Sequence, residues 1–144
     1  MKLTRASSYA LIAVVYIAQQ KSTKPVASHN IAKERGIPDR FLLKVLKPLV
    51  NARVLRSVKG PNGGYELAKP ISEINMLEVI EAVDGRIYGK AEPPPQDDGK
   101  KNGKKNLENI PKQLYSRLKN ICEQTAEQTR RHLEKVMVSD LLKK

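Results

Sequence analysis

The chain has 144 residues, with 27 Lys and Arg against 15 Asp and Glu, a formal charge of +12 and a pI near 9.9. That length suits one domain, or one domain with an appended element, and a core can be buried without staples. The single cysteine, Cys122, excludes an internal disulfide framework and any cysteine-based zinc finger, and it fits a reducing cytoplasm. So strong a positive balance concerns partners: nucleic acid first, an anionic membrane surface second. The longest apolar run, ALIAVVYIA, is too short to span a bilayer and reads as a buried helix rather than a signal peptide.

Residues 1–20 are predicted as the first helix, with Leu3, Ala6, Ala10, Ala13, Val14 and Ile17 as its apolar stripe. Thr4 suits the N-cap, and Lys2 and Arg5 lie near the helix start. After the loop KSTKP, a short second helix is expected, capped by Ser28 and ended by Gly36. The turn GIP leads into a third helix. Phe41, Leu42, Val45, Leu46 and Leu49 form its apolar face, while Arg40, Lys44 and Lys47 share another. Pro38 suits the first helical position. Pro48 cannot donate to the Lys44 carbonyl, so a kink or an early end is expected there.

The run VLRSV, the turn formers KGPNGG and the segment YELA read as a two-stranded hairpin. Gly63 and Gly64 allow backbone angles that other residues avoid. Residues 1–85 carry thirteen Lys or Arg against seven acids, a net of +6, and +5 of this lies in 38–59. Arg56 and Lys59 place part of that charge on the hairpin. A cationic helix followed by a cationic hairpin tip suggests a winged helix-turn-helix bound to DNA. The helix would enter the major groove, and the tip would reach a neighbouring backbone or minor groove. Two short helices, the second longer and cationic, also fit helix-turn-helix geometry.

Asn75 with Glu78 fits a capping box for a fourth helix, Met76 to Val83, which Gly85 can stop. Residues 86–109 are rich in Pro, Gly, Asp, Asn and Lys and read as a mobile linker. In 110–144 a long helix is expected from Pro111 to about residue 137, with Asn109 as its cap. At about 1.5 Å per residue it would be roughly 40 Å long. Leu114, Leu118, Ile121 and Thr125 step along it by three or four residues, and Leu133 and Val136 resume the stripe. A lone helix of that length needs a partner. A second copy of the chain, giving a symmetric dimer through Leu114, Leu118, Ile121 and Thr125, is the economical one; folding back on its own domain is the alternative.

With these residues in view, the chain resembles the Rrf2 family of bacterial transcription regulators. MKLTRASSYAL is similar to that family's first helix. SHNIAKERGIPDRFLLKVLKPLVNARVLRSVKGPNGGYELAKP is similar to its helix-turn-helix and wing, including the signature V-x-G-P-x-G-G-Y at Val58 to Tyr65. ISEINMLEVIEAVDG is similar to the helix after the wing. The resemblance implies a mainly α fold with a small β-hairpin: a winged helix-turn-helix domain at 1–85, a linker at 86–109 and a dimerisation helix with a tail at 110–144. It also implies a homodimer on a roughly palindromic operator in double-stranded DNA.

Carried over by position, the recognition residues are Asp39, Arg40, Phe41 and Lys44. Arg40 could read guanine N7 and O6 bidentately, Asp39 could accept from cytosine N4, and Lys44 and Lys47 could serve bases or phosphates. Phe41 could instead pack in the core, and Asp39 could cap its helix. Thr4 and Ser28, each at a helix start, are candidate phosphate contacts, with Arg5 beside Thr4. At the wing, Lys59, Gly60, Pro61, Asn62 and Gly63 would approach the minor groove, with Arg56 on the adjoining strand.

Many members of the family hold an iron–sulfur cluster through three cysteines between the fourth helix and the dimerisation helix. Here 86–110 contains no Cys and no His, and the first helix offers only Ser7 and Ser8. Such clusters are held by thiolates, so no cofactor is expected. Cys122 reads first as an inert packed residue. A redox role would need exposure and a lowered pKa, and a disulfide to its symmetry mate would lock the dimer. No catalytic constellation is present. The reading is a cytoplasmic, dimeric regulator, more readily a repressor than an activator, with no membrane partner. The alternatives are a winged-helix protein-interaction module, or a regulator sensing a small molecule or redox state through Cys122.

Overall fold

A computed structural model describes residues 1–93 and 112–144. The elements are α1 (Arg5–Ala18), α2 (Ser28–Arg35), α3 (Asp39–Asn51), β1 (Leu55–Val58), β2 (Gly64–Leu67), α4 (Met76–Asp84) and α5 (Lys112–Lys135). Short 3-10 turns lie at Ile71–Glu73 and Val138–Leu142. The described residues are mainly helical, with one antiparallel hairpin pairing Leu55 with Leu67 and Val58 with Gly64, as the patterning implies. It divides into two compact units: Met1–Arg86 with Arg131–Lys144, and Ile87–Arg130.

The core of the first unit comes from Ala10 and Val14 of α1, Ile31 of α2, Leu42, Leu46 and Leu49 of α3, and Ile74 and Val79 at α4, all fully buried. Thr4 caps α1 as expected: its hydroxyl accepts from the Ser7 N–H at 3.0 Å. The same hydroxyl donates to the Asp84 carboxylate at 2.8 Å, and the fully buried Ser7 hydroxyl donates to that carboxylate too. The end of α4 is thereby tied to the start of α1, where the helix dipole favours an anion.

Several expected details differ. Ser28 does not cap α2; Ala27 is the N-cap and Ser28 the first helical residue. The cause is Val26, whose N–H and C=O both bond to Tyr65 at 2.8 Å and hold the chain extended up to Ala27. Gly36 ends α2 in the left-handed conformation, as expected. Pro38 is the N-cap of α3, not its first residue. Pro48 neither ends nor interrupts the helix, which continues to Asn51. Leu49, fully buried, holds the last turn against the core, and the Lys44 carbonyl that loses its partner belongs to an exposed residue within reach of water. Asn75 caps α4 by accepting from the Glu78 N–H at 2.9 Å. The Glu78 side chain pairs with Lys69 at 2.7 Å, so only half of the expected capping box forms.

The glycine pair of the hairpin has a steric reason. A Cβ on Gly63 would strike the carbonyl oxygens of Val58 and Gly60, and one on Gly64 would strike the Val26 carbonyl. The passage of Val26 against β2 thus leaves no room for a side chain at position 64.

The C-terminal residues join the first unit by backbone pairing. The Met76 N–H donates to the Val136 carbonyl at 2.8 Å, and the Val138 N–H donates to the Ile74 carbonyl at 2.7 Å. Val136 therefore leaves the helix that was expected to reach about residue 137, and α5 stops at Lys135. In the turn that follows, Lys143 and the Met137 N–H hold the Asp140 carboxyl below the usual carboxylate range. Protonation as the pH falls would loosen this turn.

In the second unit the Tyr115 hydroxyl donates to the Ala91 carbonyl at 3.0 Å, and Gly89 passes close against the Cys122 backbone carbonyl. Leu114, Leu118 and Ile121 are 46%, 46% and 57% exposed. Thr125 is exposed, with its hydroxyl bonded to the Ile121 carbonyl at 2.8 Å. Of the expected linker, residues 86–93 carry no helix or strand. Residues 94–111, with the expected cap at Asn109 and helix start at Pro111, lie outside the described residues. No described helix is long and apolar enough to cross a membrane.

Asp84→Ala leaves the buried Ser7 hydroxyl unpaired and should lower stability by about 1–3 kcal/mol in urea denaturation. Gly64→Ala should cost about 2–3 kcal/mol in the same assay, whereas Lys59→Ala, at an exposed site, should stay within about 0.5 kcal/mol.

Candidate nucleic-acid interface

Helix α3 divides its residues between two environments. Leu42, Val45, Leu46 and Leu49 are buried, whereas Arg40, Leu43, Lys44 and Lys47 are exposed. The exposed four fall at i, i+3, i+4 and i+7, so they line one face of the helix. Among the described residues, none of these three cations forms an ion pair. Asp39 stands in the first turn, with its Oδ1 3.6 Å from Nδ1 of the exposed His29. Phe41 is half-buried and meets Tyr9 of α1 edge-on, with ring centroids 5.4 Å apart.

At the hairpin tip Lys59, Gly60, Pro61 and Asn62 are exposed, and the Gly63 N–H closes the turn on the Gly60 carbonyl at 3.0 Å. Gly60 has φ 110°, a conformation that favours glycine. Arg56 pairs with Glu66 directly across the strands at 2.8 Å, so part of its charge is met within the hairpin. Arg5 is exposed. The Thr4 hydroxyl is already bonded to Asp84, and Ser28 is half-buried in the first turn of α2.

Two participants are not evident from the residue pattern. Leu43, 50% exposed, sits among the α3 cations. Its signal is a leucine off the apolar stripe, easily read as part of the Leu42–Leu43 pair. Glu66 tempers the hairpin charge, and only the strand register reveals it.

Cys122 is half-buried on α5. Among the described residues no three His, Cys, Asp or Glu side chains converge on a point that could hold a metal ion.

The Rrf2 family, described as iron-dependent transcriptional regulator, matches residues 3–144. A candidate HTH-type transcriptional regulator of Mycobacterium tuberculosis, Rv1287, is 37% identical over 87 residues, 60% of this chain and 54% of the relative. The HTH-type transcriptional regulator IscR of Klebsiella pneumoniae is 38% identical over 87 residues, 60% of this chain and 53% of the relative. The matched region thus spans about half the length of these relatives. The fold is shared with CymR, the global cysteine regulator of B. subtilis, at a TM-score of 0.70 and 18% identity, over 98% of this chain and 95% of that one. The oxidised form of Staphylococcus aureus CymR has a TM-score of 0.65 and 25% identity, over 100% of this chain and 98% of that one.

The family's iron finds no thiolate set here: with one cysteine in the chain and no converging donors among the described residues, a cysteine-held cluster does not fit. By the match over nearly its whole length, and by its winged helix-turn-helix, this chain belongs to the Rrf2 family of transcriptional regulators.

Proposed function

We propose that the chain is a sequence-specific DNA-binding regulator that acts as a homodimer on a roughly palindromic operator. The observation that carries this reading is the exposed row Arg40, Leu43, Lys44 and Lys47 on a helix whose opposite face is locked in the core. Arg40 reads guanine through its planar fork, Leu43 meets a thymine methyl, and Lys44 and Lys47 take bases or phosphates. Asp39 accepts from cytosine N4 or orients His29. Lys59 and the exposed tip Gly60–Pro61–Asn62 approach the neighbouring backbone or minor groove. Arg5 adds a phosphate contact near the start of α1. Because Thr4 already holds Asp84, and Ser28 is half-buried, both serve DNA less directly than the α3 cations.

The dimer reading is supported by Leu114, Leu118 and Ile121, exposed at i, i+4 and i+7 on α5. A second copy that covers them would present two α3 helices to successive major grooves, about 34 Å apart. Repression by occupying a promoter needs nothing beyond such binding, and the site of action is the cytoplasm. A protein-interaction module has less in its favour: such surfaces are depleted in Lys and enriched in aromatics, and this tip is the reverse.

In gel-shift titrations against its own promoter with excess nonspecific DNA, the protein should bind in a competitor-resistant way. Arg40→Ala should cost about 1–3 kcal/mol on the operator and relax sequence preference, while Lys59→Ala should weaken all sequences alike and reduce the salt slope by about 1. Equal losses on operator and random DNA for both variants would sink the readout assignment. Leu118→Glu should shift the protein from dimer to monomer in analytical ultracentrifugation; a monomeric parent protein would overturn the dimer.

A further inference from the structure

Two titratable side chains meet across the two helices of the helix-turn-helix. His29 is the second residue of α2, and Asp39 is the first residue of α3. The imidazole Nδ1 lies 3.6 Å from Asp39 Oδ1, and the two side chains are 75% and 66% exposed. A pair so open to water adds little to stability. It does stand beside the exposed row of α3: Arg40 follows Asp39 directly, and Leu43 lies one turn beyond it.

Asp39 is the carboxylate within ion-pair reach of the imidazole among the described residues. On α2, Lys33 lies one turn on from His29, with Glu34 and Arg35 beyond it. On α3 the adjoining charge is Arg40. Helix α1, which also packs on α2, carries Arg5 as its one charged residue, with Tyr9 and Tyr16 as its other titratable groups. Lys21 and Lys24 precede α2 in the chain, and Tyr65 of β2 bonds to Val26 three residues before His29.

An ionised carboxylate only accepts hydrogen bonds, so the imidazole meets Asp39 with its hydrogen on Nδ1. In the neutral ring Nε2 is then a bare lone pair. A phosphodiester oxygen is an acceptor too, and the two cannot share a hydrogen bond. Nε2 can donate to a phosphate only after it has taken a proton.

We propose that His29 is a further phosphate contact of this chain, recruited by DNA in its protonated form, with Asp39 as the positioning residue. In helix-turn-helix docking the first helix crosses the DNA backbone while the second enters the major groove. His29 is the α2 side chain that meets the start of the reading helix, and there it would face that backbone. Each protomer takes up one proton from solvent at Nε2. The new N–H donates to a phosphate oxygen, and Nδ1–H stays on Asp39. A lysine would hold the phosphate at every physiological pH, whereas histidine makes the hold depend on pH. Because phosphate favours the imidazolium, the gain is full below the pH at which the free imidazole titrates. It is lost as the pH rises through the higher value that holds in the complex. The inference rests on the DNA-binding reading but on no particular base sequence, since phosphates are alike on every duplex.

The test is a fluorescence-anisotropy titration of the full-length protein with a random-sequence duplex at fixed low salt. It is run at about pH 6 and about pH 8, on either side of the ordinary histidine range. The parent protein should bind at least about threefold more tightly at the lower pH. His29→Gln can still donate to Asp39 but cannot take a proton, and it should bind equally at both. His29→Lys should bind at the higher pH as tightly as the parent does at the lower. Asp39→Ala frees a neutral imidazole to offer Nε2–H, so the response to pH should shrink. His132→Gln, in the last turn of α5, should keep the parent's response. In histidine NMR of the parent protein, the titration of His29 should move to higher pH when the duplex is added. No pH response in the parent, a response that persists in His29→Gln, or a His29 titration that DNA leaves in place would overturn the proposal with DNA binding intact. A full response in Asp39→Ala would overturn the positioning role. Absence of binding at either pH, to this duplex and to the chain's own promoter, would overturn the DNA-binding reading and this inference with it.

Discussion

Leu42, Leu46 and Leu49 show no exposed surface, while Arg40, Lys44 and Lys47 on the same helix are exposed. Everything around α3 serves that division. Helices α1, α2 and α4 supply the apolar partners, so burial anchors one side of α3 and fixes the direction of the other. At about 1.5–3 kcal/mol for each fully buried aliphatic side chain, those three leucines outweigh the single hydrogen bond that Pro48 forfeits. The helix consequently continues through a residue that local propensity alone would treat as a break. The cations gain nothing from the core; they are displayed by it.

The wing depends on a different constraint, steric rather than hydrophobic. Its strands are only four residues each, too short to be independently stable as a lone hairpin. Val26 adds a third partner through its two hydrogen bonds to Tyr65. Gly64 is the residue that lets Val26 come so close, and Gly63 lets the tip fold over Val58. The glycine pair is therefore a packing requirement of the hairpin as much as a conformational one.

Much of this architecture can be read from residue patterns, because those patterns are local. The α3 stripe, the Thr4 cap, the Gly36 stop, the Asn75 cap and the hairpin each follow from spacing or from a residue's own conformational preference. The details that escape are those set by residues distant in sequence. Ser28 loses the capping position because Val26 is held by Tyr65. Glu78 turns from its own helix start to Lys69, and Val136 leaves the helical stripe to pair with Met76. In the candidate interface the cations are legible from their seven-residue span. Leu43's exposure and Arg56's pairing with Glu66 are not, since each depends on which way an element is turned in three dimensions. The orientation of Arg35 over Tyr16 belongs to the same class, because it joins residues of two helices that lie nineteen positions apart in sequence.

The contact between Thr4, Ser7 and Asp84 bears on how the domain assembles. Its hydrogen bonds join residues 80 and 77 positions apart, among the longest-range hydrogen bonds of the first unit. Helical turns and the hairpin close over a few residues and can form early, whereas a loop of this size carries its full entropic cost before any bond rewards it. The carboxylate of Asp84 can therefore join only after α1, α3 and α4 have collapsed around their leucines. A contact completed only after that packing bears on the rate at which the finished domain opens more than on the speed of folding.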